Sequence, residues 1–170
     1  MYPKAYIDYL VHFHGDRDYF ECHEVLEEQW KRDGRKIEWL VLIQIAVAFY
    51  HYRRNNTSGA LRLMKRARVL LEEARGMIRR LGLDDRALAA LLDETARRIA
   101  QGKPYESIEL PIADRSLYAQ CRAACAARQL VWGQASDTTD IDLVDKHRRR
   151  DRTDVIAARE QKKRARAEGK

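Results

Sequence analysis

Glycine, proline and cysteine are all scarce in this chain, and each scarcity argues against a class of protein. With eight glycines and three prolines among 170 residues, few positions break helices, and the abundant alanine, leucine, arginine and glutamate favour an all-α fold. The three cysteines form an odd set without the spacing of a disulfide framework, which indicates reduced thiols and predicts a cytoplasmic protein. Cys121 and Cys125 lie one helical turn apart, and we interpret them as small buried residues rather than as half of a metal site.

Long apolar runs and an overall charge of one sign are also missing. The longest apolar run, at residues 39–50, is interrupted by Gln44 and is shorter than the roughly 20 residues that cross a bilayer. Residues 1–5 lack the charged-then-apolar layout of a signal peptide, so we expect no membrane association. Residues 1–145 contain 22 basic and 22 acidic residues, whereas residues 146–170 contain 11 basic and four acidic ones. The net charge of +7 therefore comes from the tail alone.

Periodicity and helix-breaking residues divide the first part of the chain into five predicted helices. They lie at about residues 3–14, 18–32, 37–54 and 58–81, with a fifth that follows a cap at residues 84–85 and ends near residue 100. The third is apolar on nearly all sides and should be the most buried. The sequence thus predicts a compact bundle of about five helices over residues 1–113, a helical or linker extension over residues 114–145, and a basic tail over residues 146–170. The tail is predicted to be disordered or a solvated helix.

The second predicted helix carries polar residues on the face that should be buried. Advancing 100° per residue places six side chains in one inward sector: Tyr19, Cys22, His23, Leu26, Glu27 and Trp30. The third helix carries a polar stripe at Gln44, His51 and Asn55 through an otherwise apolar surface. Burying an unpaired polar group costs roughly 2–7 kcal/mol, so the two helices are expected to share a polar site. Its predicted members are His23, Glu27, Gln44, His51 and Asn56.

Three interpretations of this polar site stay open. The first is a satisfied hydrogen-bond network or a ligand-binding pocket. The second is a metal site in which His23, Glu27 and His51 bind a divalent ion such as zinc, iron or manganese, although the pattern matches neither the di-iron bundle signature nor the zincin motif. The third is metal-free acid–base catalysis by a histidine that a glutamate tunes. The leading prediction is a non-enzymatic ligand-binding or interaction module, and the alternative is a metal-dependent hydrolase-like enzyme.

The two polar motifs also resemble a known family. The resemblance is carried by YFECHEVLEEQW at residues 19–30, LIQIAVAFYH at residues 42–51 and the Asn56-x-x-Gly59-Ala60 motif. These segments resemble the family called "domain of unknown function 309", small all-α proteins of bacteria and archaea, over about residues 5–110. The resemblance implies a compact helical bundle and no particular reaction. It also implies eight signature positions: His23, Glu24, Glu27, Trp30, Gln44, His51, Asn56 and Gly59.

Several residues depart from the pattern that this resemblance implies: His14 follows Phe13, Gly15 stands where asparagine is expected, and Cys22 replaces the usual alanine. Arg17 and Asn55 stand where glycine is usual in the family. Glu24 is a signature position, yet the helical wheel places it outside the inward sector. It is expected either to pair with an arginine such as Arg53 or Arg54, or to line the mouth of a cleft, or to belong to a solvated acidic face.

The basic tail is the one indication of a nucleic-acid partner. Clustered lysine and arginine would give weak, salt-sensitive contact with phosphates, and RNA association through residues 146–170 is a second alternative function. However, acidic residues interrupt the tail and it has no aromatic residues for base stacking, and charged C-termini more often serve solubility. The expected partner is otherwise a small ligand or a protein. A homodimer through the third or fourth helix is a further expectation.

Overall fold

The computed structural model describes residues 1–149 and 153–168 of the chain. Within these ranges the structure contains nine α-helices: α1 (Lys4–His14), α2 (Tyr19–Arg32), α3 (Ile37–Arg53), α4 (Thr57–Arg80), α5 (Asp85–Ala100), α6 (Arg115–Ala127), α7 (Ile141–Val144), α8 (Lys146–Arg149) and α9 (Thr153–Glu168). The described residues contain no β-strand, only an isolated bridge between Leu83 and Ile112. The all-α prediction is confirmed. The remaining positions of the predicted tail, residues 150–152 and 169–170, lie outside the described residues.

Side-chain caps determine where several of these helices begin. Asp18 accepts a hydrogen bond from the backbone N–H of Glu21 at 3.0 Å, and Asn56 accepts one from Gly59 at 3.1 Å. Asp84 and Asp114 cap α5 and α6 in the same way. Each such cap satisfies a backbone donor that the helix itself leaves without a partner, and is worth about 1 kcal/mol. The caps fix the starting points of α2 and α4, which flank the central helix.

The central helix of the bundle is α3, which packs between α2 and α4. As predicted from its apolar composition, most of its side chains are buried, including Leu42, Ile45 and Phe49. Burying one large apolar side chain stabilises the fold by roughly 1.5–3 kcal/mol, so α3 supplies much of the core. Every helix in the described ranges is too short or too polar to traverse a bilayer.

His14 ties the end of α1 to two later segments of the chain. It is fully buried; its Nδ1 donates to the carbonyl of Leu10 at 2.7 Å, and its Nε2 accepts from the backbone N–H of Leu110 at 2.9 Å. The indole of Trp132 stacks on the imidazole at 4.2 Å between ring centroids. Burial, which outweighs the hydrogen bond to Leu10, lowers the pKa of His14 to about 3. The ring is therefore neutral in the folded protein, and each nitrogen has a defined role.

Two positions with left-handed backbone conformation are Arg17 and Asn55. Their φ angles are 57° and 66°, a region that costs L residues roughly 1–2 kcal/mol and that glycine adopts freely. The resemblance implied glycine at both positions, and the backbone gives the physical reason. Asn55 is exposed at a turn, where asparagine tolerates this conformation. Arg17 is 1% exposed, and its side chain makes buried contacts that a glycine could not make.

Candidate functional site

A cleft of about 190 Å³ opens between α2 and α3. Its lining residues come from three helices: Tyr19, Phe20 and His23 from α2, Val47, Tyr50 and His51 from α3, and His147 from α8. Most of this lining is aromatic or aliphatic, and its polar groups include three imidazoles. A concave, mostly apolar surface with a few placed polar groups is the usual form of a small-molecule site. The two histidines that the sequence assigned to a shared site, His23 and His51, both line this cleft.

The imidazole of His51 has a defined tautomer because of Asn56. The Asn56 Oδ1 accepts the backbone N–H of Gly59, so its amide nitrogen lies on the other side, 3.2 Å from His51 Nδ1. Arg54 Nη1 lies 3.4 Å from the same imidazole nitrogen. Both neighbours are donors, so Nδ1 must accept and the ring hydrogen of neutral His51 must be on Nε2. Burial, together with the electrostatic influence of Arg54, His147 and Arg62, lowers the pKa of His51 and favours the neutral ring.

Gly59 makes the arrangement of Asn56 sterically feasible. A Cβ atom at position 59 would lie 2.7 Å from Asn56 Nδ2, closer than such atoms approach in proteins. Three of the signature positions, His51, Asn56 and Gly59, therefore act together. The glycine leaves room for the amide, the amide caps α4, and the same amide orients the histidine.

His23 lies between two carboxylates of its own helix. Its Nδ1 is 3.3 Å from Glu24 Oε1 and its Nε2 is 3.0 Å from Glu27 Oε2. The second oxygen of Glu27 is 3.1 Å from Lys31 Nζ. A ligand atom from each of His23, Glu24 and Glu27 lies within 4.8 Å of the other two, a spacing at which one cation can contact all three. Glu24 is thus exposed, as the helical wheel placed it, and still belongs to the polar cluster of α2.

Gln44, a predicted member of the polar site, and Trp30, a signature position, lie apart from the cleft and from the polar groups beside it. Neither residue lines the cleft, and Gln44 Oε1 and Trp30 Nε1 are buried atoms that have no hydrogen-bond partner among the residues that the structure describes. His51 belongs to neither of the two groups of three metal-ligand atoms within residues 1–149 and 153–168, which are His23–Glu24–Glu27 and His12–Asp16–Asp18. The metal site predicted from His23, Glu27 and His51 therefore stays a prediction.

The C-terminal segment (residues 141–149) closes one side of the cleft. Lys146 Nζ lies 2.5 Å from Asp18 Oδ2 at the start of α2, and Arg54 Nε lies 3.3 Å from Asp145 Oδ1. The backbone N–H of His147 donates to the Tyr50 hydroxyl oxygen at 3.2 Å, and that hydroxyl also forms a hydrogen bond with His147 Nδ1. The first two residues of the predicted tail thus contact α2 and α3. In contrast, the described side chains at positions 148–149 and 159–167 are exposed, and nucleic-acid contact by the tail stays a prediction.

Sequence reasoning missed the apolar lining and the third histidine. Phe20, Val47 and Tyr50 look like ordinary core positions in a helical pattern, and His147 lies 97 residues from its partner Tyr50. The available signal was His147 itself, since it is the one histidine in the predicted tail. The rest of this segment is rich in arginine and lysine, so the single histidine at its start differs in composition from its neighbours.

Comparisons with known proteins give a family and a close relative. The sequence model of the family described as "Domain of unknown function (DUF309)" matches residues 6–63, which include the α2 and α3 walls of the cleft. The "Uncharacterized protein YpuF" of Bacillus subtilis (strain 168) is 52% identical over 163 residues, which cover 94% of this chain and 94% of the relative. This similarity extends well beyond the bundle. No solved structure matches the chain.

Proposed function

We propose that this chain, which belongs to the family of the domain of unknown function DUF309, is a ligand-binding module whose site is the cleft between α2 and α3. The observation that carries the proposal is the set of three histidines that line a small, mostly apolar cleft from three helices. The cleft is smaller than the roughly 300 Å³ at which sites for drug-sized molecules begin. Its ligand is therefore a compact molecule with an apolar body and few polar atoms.

Thermal unfolding of the intact protein with a panel of compact aromatic and aliphatic compounds tests this proposal. A compound at about ten times its Kd should stabilise the folded state by roughly 1.4 kcal/mol, which raises the Tm by about 3–5 °C for a chain of this size. Val47→Phe places a ring in the cleft and should abolish the increase. Val69→Phe is the matched control, because Val69 is 68% exposed on α4. Compounds that stabilise the Val47→Phe variant as much as the wild type would refute the cleft as the site.

A second function, divalent-metal binding, is favoured by the geometry of His23, Glu24 and Glu27. Imidazole and carboxylate are common ligands of zinc, and two or three of them with water complete a coordination sphere. We expect titration calorimetry with zinc to give a binding isotherm that His23→Ala eliminates and His51→Ala preserves. Loss of zinc binding in both variants would instead support a metal site formed by His23, Glu27 and His51. That result would favour the hydrolase-like alternative. Binding that survives both substitutions, or no binding by the wild type, would contradict both metal sites. Manganese and iron(II) are tested in the same way.

A further inference from the structure

The surroundings of His51 indicate the chemical class of the ligand. We infer that the cleft binds a small carboxylate with a compact apolar body, and that the carboxylate accepts a hydrogen bond from Nε2 of His51. This inference rests on the proposed function, since it concerns the same cleft. Three features support it: a hydrogen-bond donor with a fixed position, positive charge near that donor, and an apolar surface that can contact the body of the ligand.

The fixed donor is the Nε2–H of His51. Asn56 and Arg54 both donate toward Nδ1, at 3.2 and 3.4 Å, so the neutral ring cannot offer a lone pair on Nε2 without losing these contacts. Because the Asn56 amide is itself held by the cap of α4, the orientation of the donor is set by the fold. A ligand that meets this group must carry a hydrogen-bond acceptor.

The charge around His51 favours an acceptor that is also an anion. Arg62 is exposed on α4 and has no ion-pair partner among the described residues, so its charge is not compensated there. Arg54 contacts the imidazole directly through Nη1, while its Nε lies 3.3 Å from the Asp145 carboxylate. Both arginines act on His51 in the same direction and lower its pKa. The N-terminus of α4, a helix of 24 residues, adds the positive end of its dipole beside Asn56. Hydrogen bonds to charged acceptors are about twice as strong as those to neutral ones.

The opposite end of the cleft does not cancel this preference. The carboxylates of Glu24 and Glu27 lie next to the imidazole of His23, and Glu27 also lies next to Lys31. Both carboxylates are therefore engaged by other side chains of α2. Between the two ends, Phe20, Val47 and Tyr50 supply an apolar surface that fits a ring or a branched aliphatic group. One donor and a small volume suit a single carboxylate better than a larger polyanion.

Three probes of nearly equal size separate charge from shape: benzoate, benzamide and benzylamine. Isothermal titration of the full chain should show benzoate binding about tenfold more tightly than benzamide, because the charged acceptor strengthens the bond to His51. Benzylamine, a cation without an acceptor, should bind more weakly than both. His51→Phe keeps a ring at this position but removes the donor, and it should abolish the preference for benzoate. His12→Phe, at a partly buried histidine outside the cleft, is the control and should keep it.

The Asn56→Gly variant tests the role of the tautomer. Glycine is also a favourable N-cap residue and has no side chain that could donate to His51 Nδ1, so the benzoate preference should fall severalfold, and the imidazole nitrogen NMR signals of His51 should show both tautomers. Equal or tighter binding of benzamide or benzylamine, or a benzoate preference that survives His51→Phe, overturns the inference. If Val47→Phe then still abolishes binding of those probes, the proposed function stands without it. If neither these probes nor any member of the compound panel binds, the proposed function fails and the inference falls with it.

Discussion

Replacing Arg53 with methionine is expected to lower the free energy of unfolding by about 3 kcal/mol, because a buried cation and all of its contacts would be lost. Arg53 ends α3 and is 5% exposed. Its Nη1 donates to the carbonyl of Arg17 at 2.5 Å and to Ser136 Oγ at 3.2 Å, and its guanidinium lies 4.6 Å from the centroid of the Tyr19 ring. Methionine restores much of the volume but leaves the Arg17 carbonyl without its donor. A buried acceptor without a partner costs about 1–3 kcal/mol, and a desolvated cation–π contact contributes about 2 kcal/mol.

The neighbouring arginine provides a matched control for this prediction. Arg54 contacts Asp145 at 3.3 Å and His51 at 3.4 Å, and 14% of its side chain is exposed. Ion pairs near the surface contribute little, so Arg54→Met should cost about 1 kcal/mol or less. Urea denaturation of both variants gives the two free energies with comparable slopes if unfolding stays two-state. Similar losses in the two variants would mean that the buried contacts of Arg53 do not stabilise the fold as their geometry suggests.

The five helices of the bundle were accessible from the sequence because their signals are local. Apolar spacing identifies a helix without knowledge of its neighbours, and caps such as Asp18, Asn56 and Asp84 lie within three residues of the groups they bind. The prediction of a central third helix is confirmed for the same reason, since a segment that is apolar on all sides can only be buried. The arrangement of the C-terminal segment depends on contacts such as Lys146 with Asp18, for which no local pattern exists.

The candidate site was predictable only in part, and the helical wheel shows why. The wheel gives the angular order of side chains but not the rotation of the helix against its neighbours. In the structure Cys22 and Leu26 are at the centre of the buried face of α2, so His23 lies at its edge, where it lines a cleft rather than a closed core. The corresponding edge of α3 carries Val47 and His51, and Gln44 lies outside the cleft.

The buried arginine at position 17 illustrates what sequence patterns cannot supply. A left-handed backbone favours glycine, yet Arg17 donates from Nε to the carbonyl of Gln134 at 2.8 Å and from Nη1 to that of Ile108. These acceptors lie 117 and 91 residues further along the chain. The contacts offset the backbone cost of about 1–2 kcal/mol. No local feature of the sequence predicts that partners so distant are in reach.

Acidification is expected to destabilise the protein through His14, before the carboxylates titrate. In the unfolded chain the pKa of this histidine is near its ordinary value of 6.5, and burial lowers it to about 3 in the fold. Between these values the unfolded state binds a proton that the folded state does not, so the free energy of unfolding falls as the pH falls. His14 stabilises the fold fully above pH 6.5, and that contribution is lost progressively as the pH approaches 3. With 1.36 kcal/mol for each unit of pKa, the loss between pH 7 and pH 5 is about 2 kcal/mol.

Urea denaturation at pH 7, 6 and 5 measures this loss, and substitution assigns it to one residue. His14→Gln removes the titrating ring along with its stack on Trp132, so the variant should be about 2 kcal/mol less stable at pH 7 and should lose most of the pH dependence. A smaller dependence of the same sign should persist, because the pKa of His51 is also lowered by burial and nearby positive charge. The carboxylates with lowered pKa, such as Asp85 and Asp114, titrate below this window and do not contribute.

His12→Gln removes a half-buried histidine outside these networks and serves as the control. If the free energy of unfolding of the His14→Gln variant depended on pH as steeply as that of the wild type, the acid sensitivity would arise from another residue. That result would refute a neutral His14 with two buried hydrogen bonds.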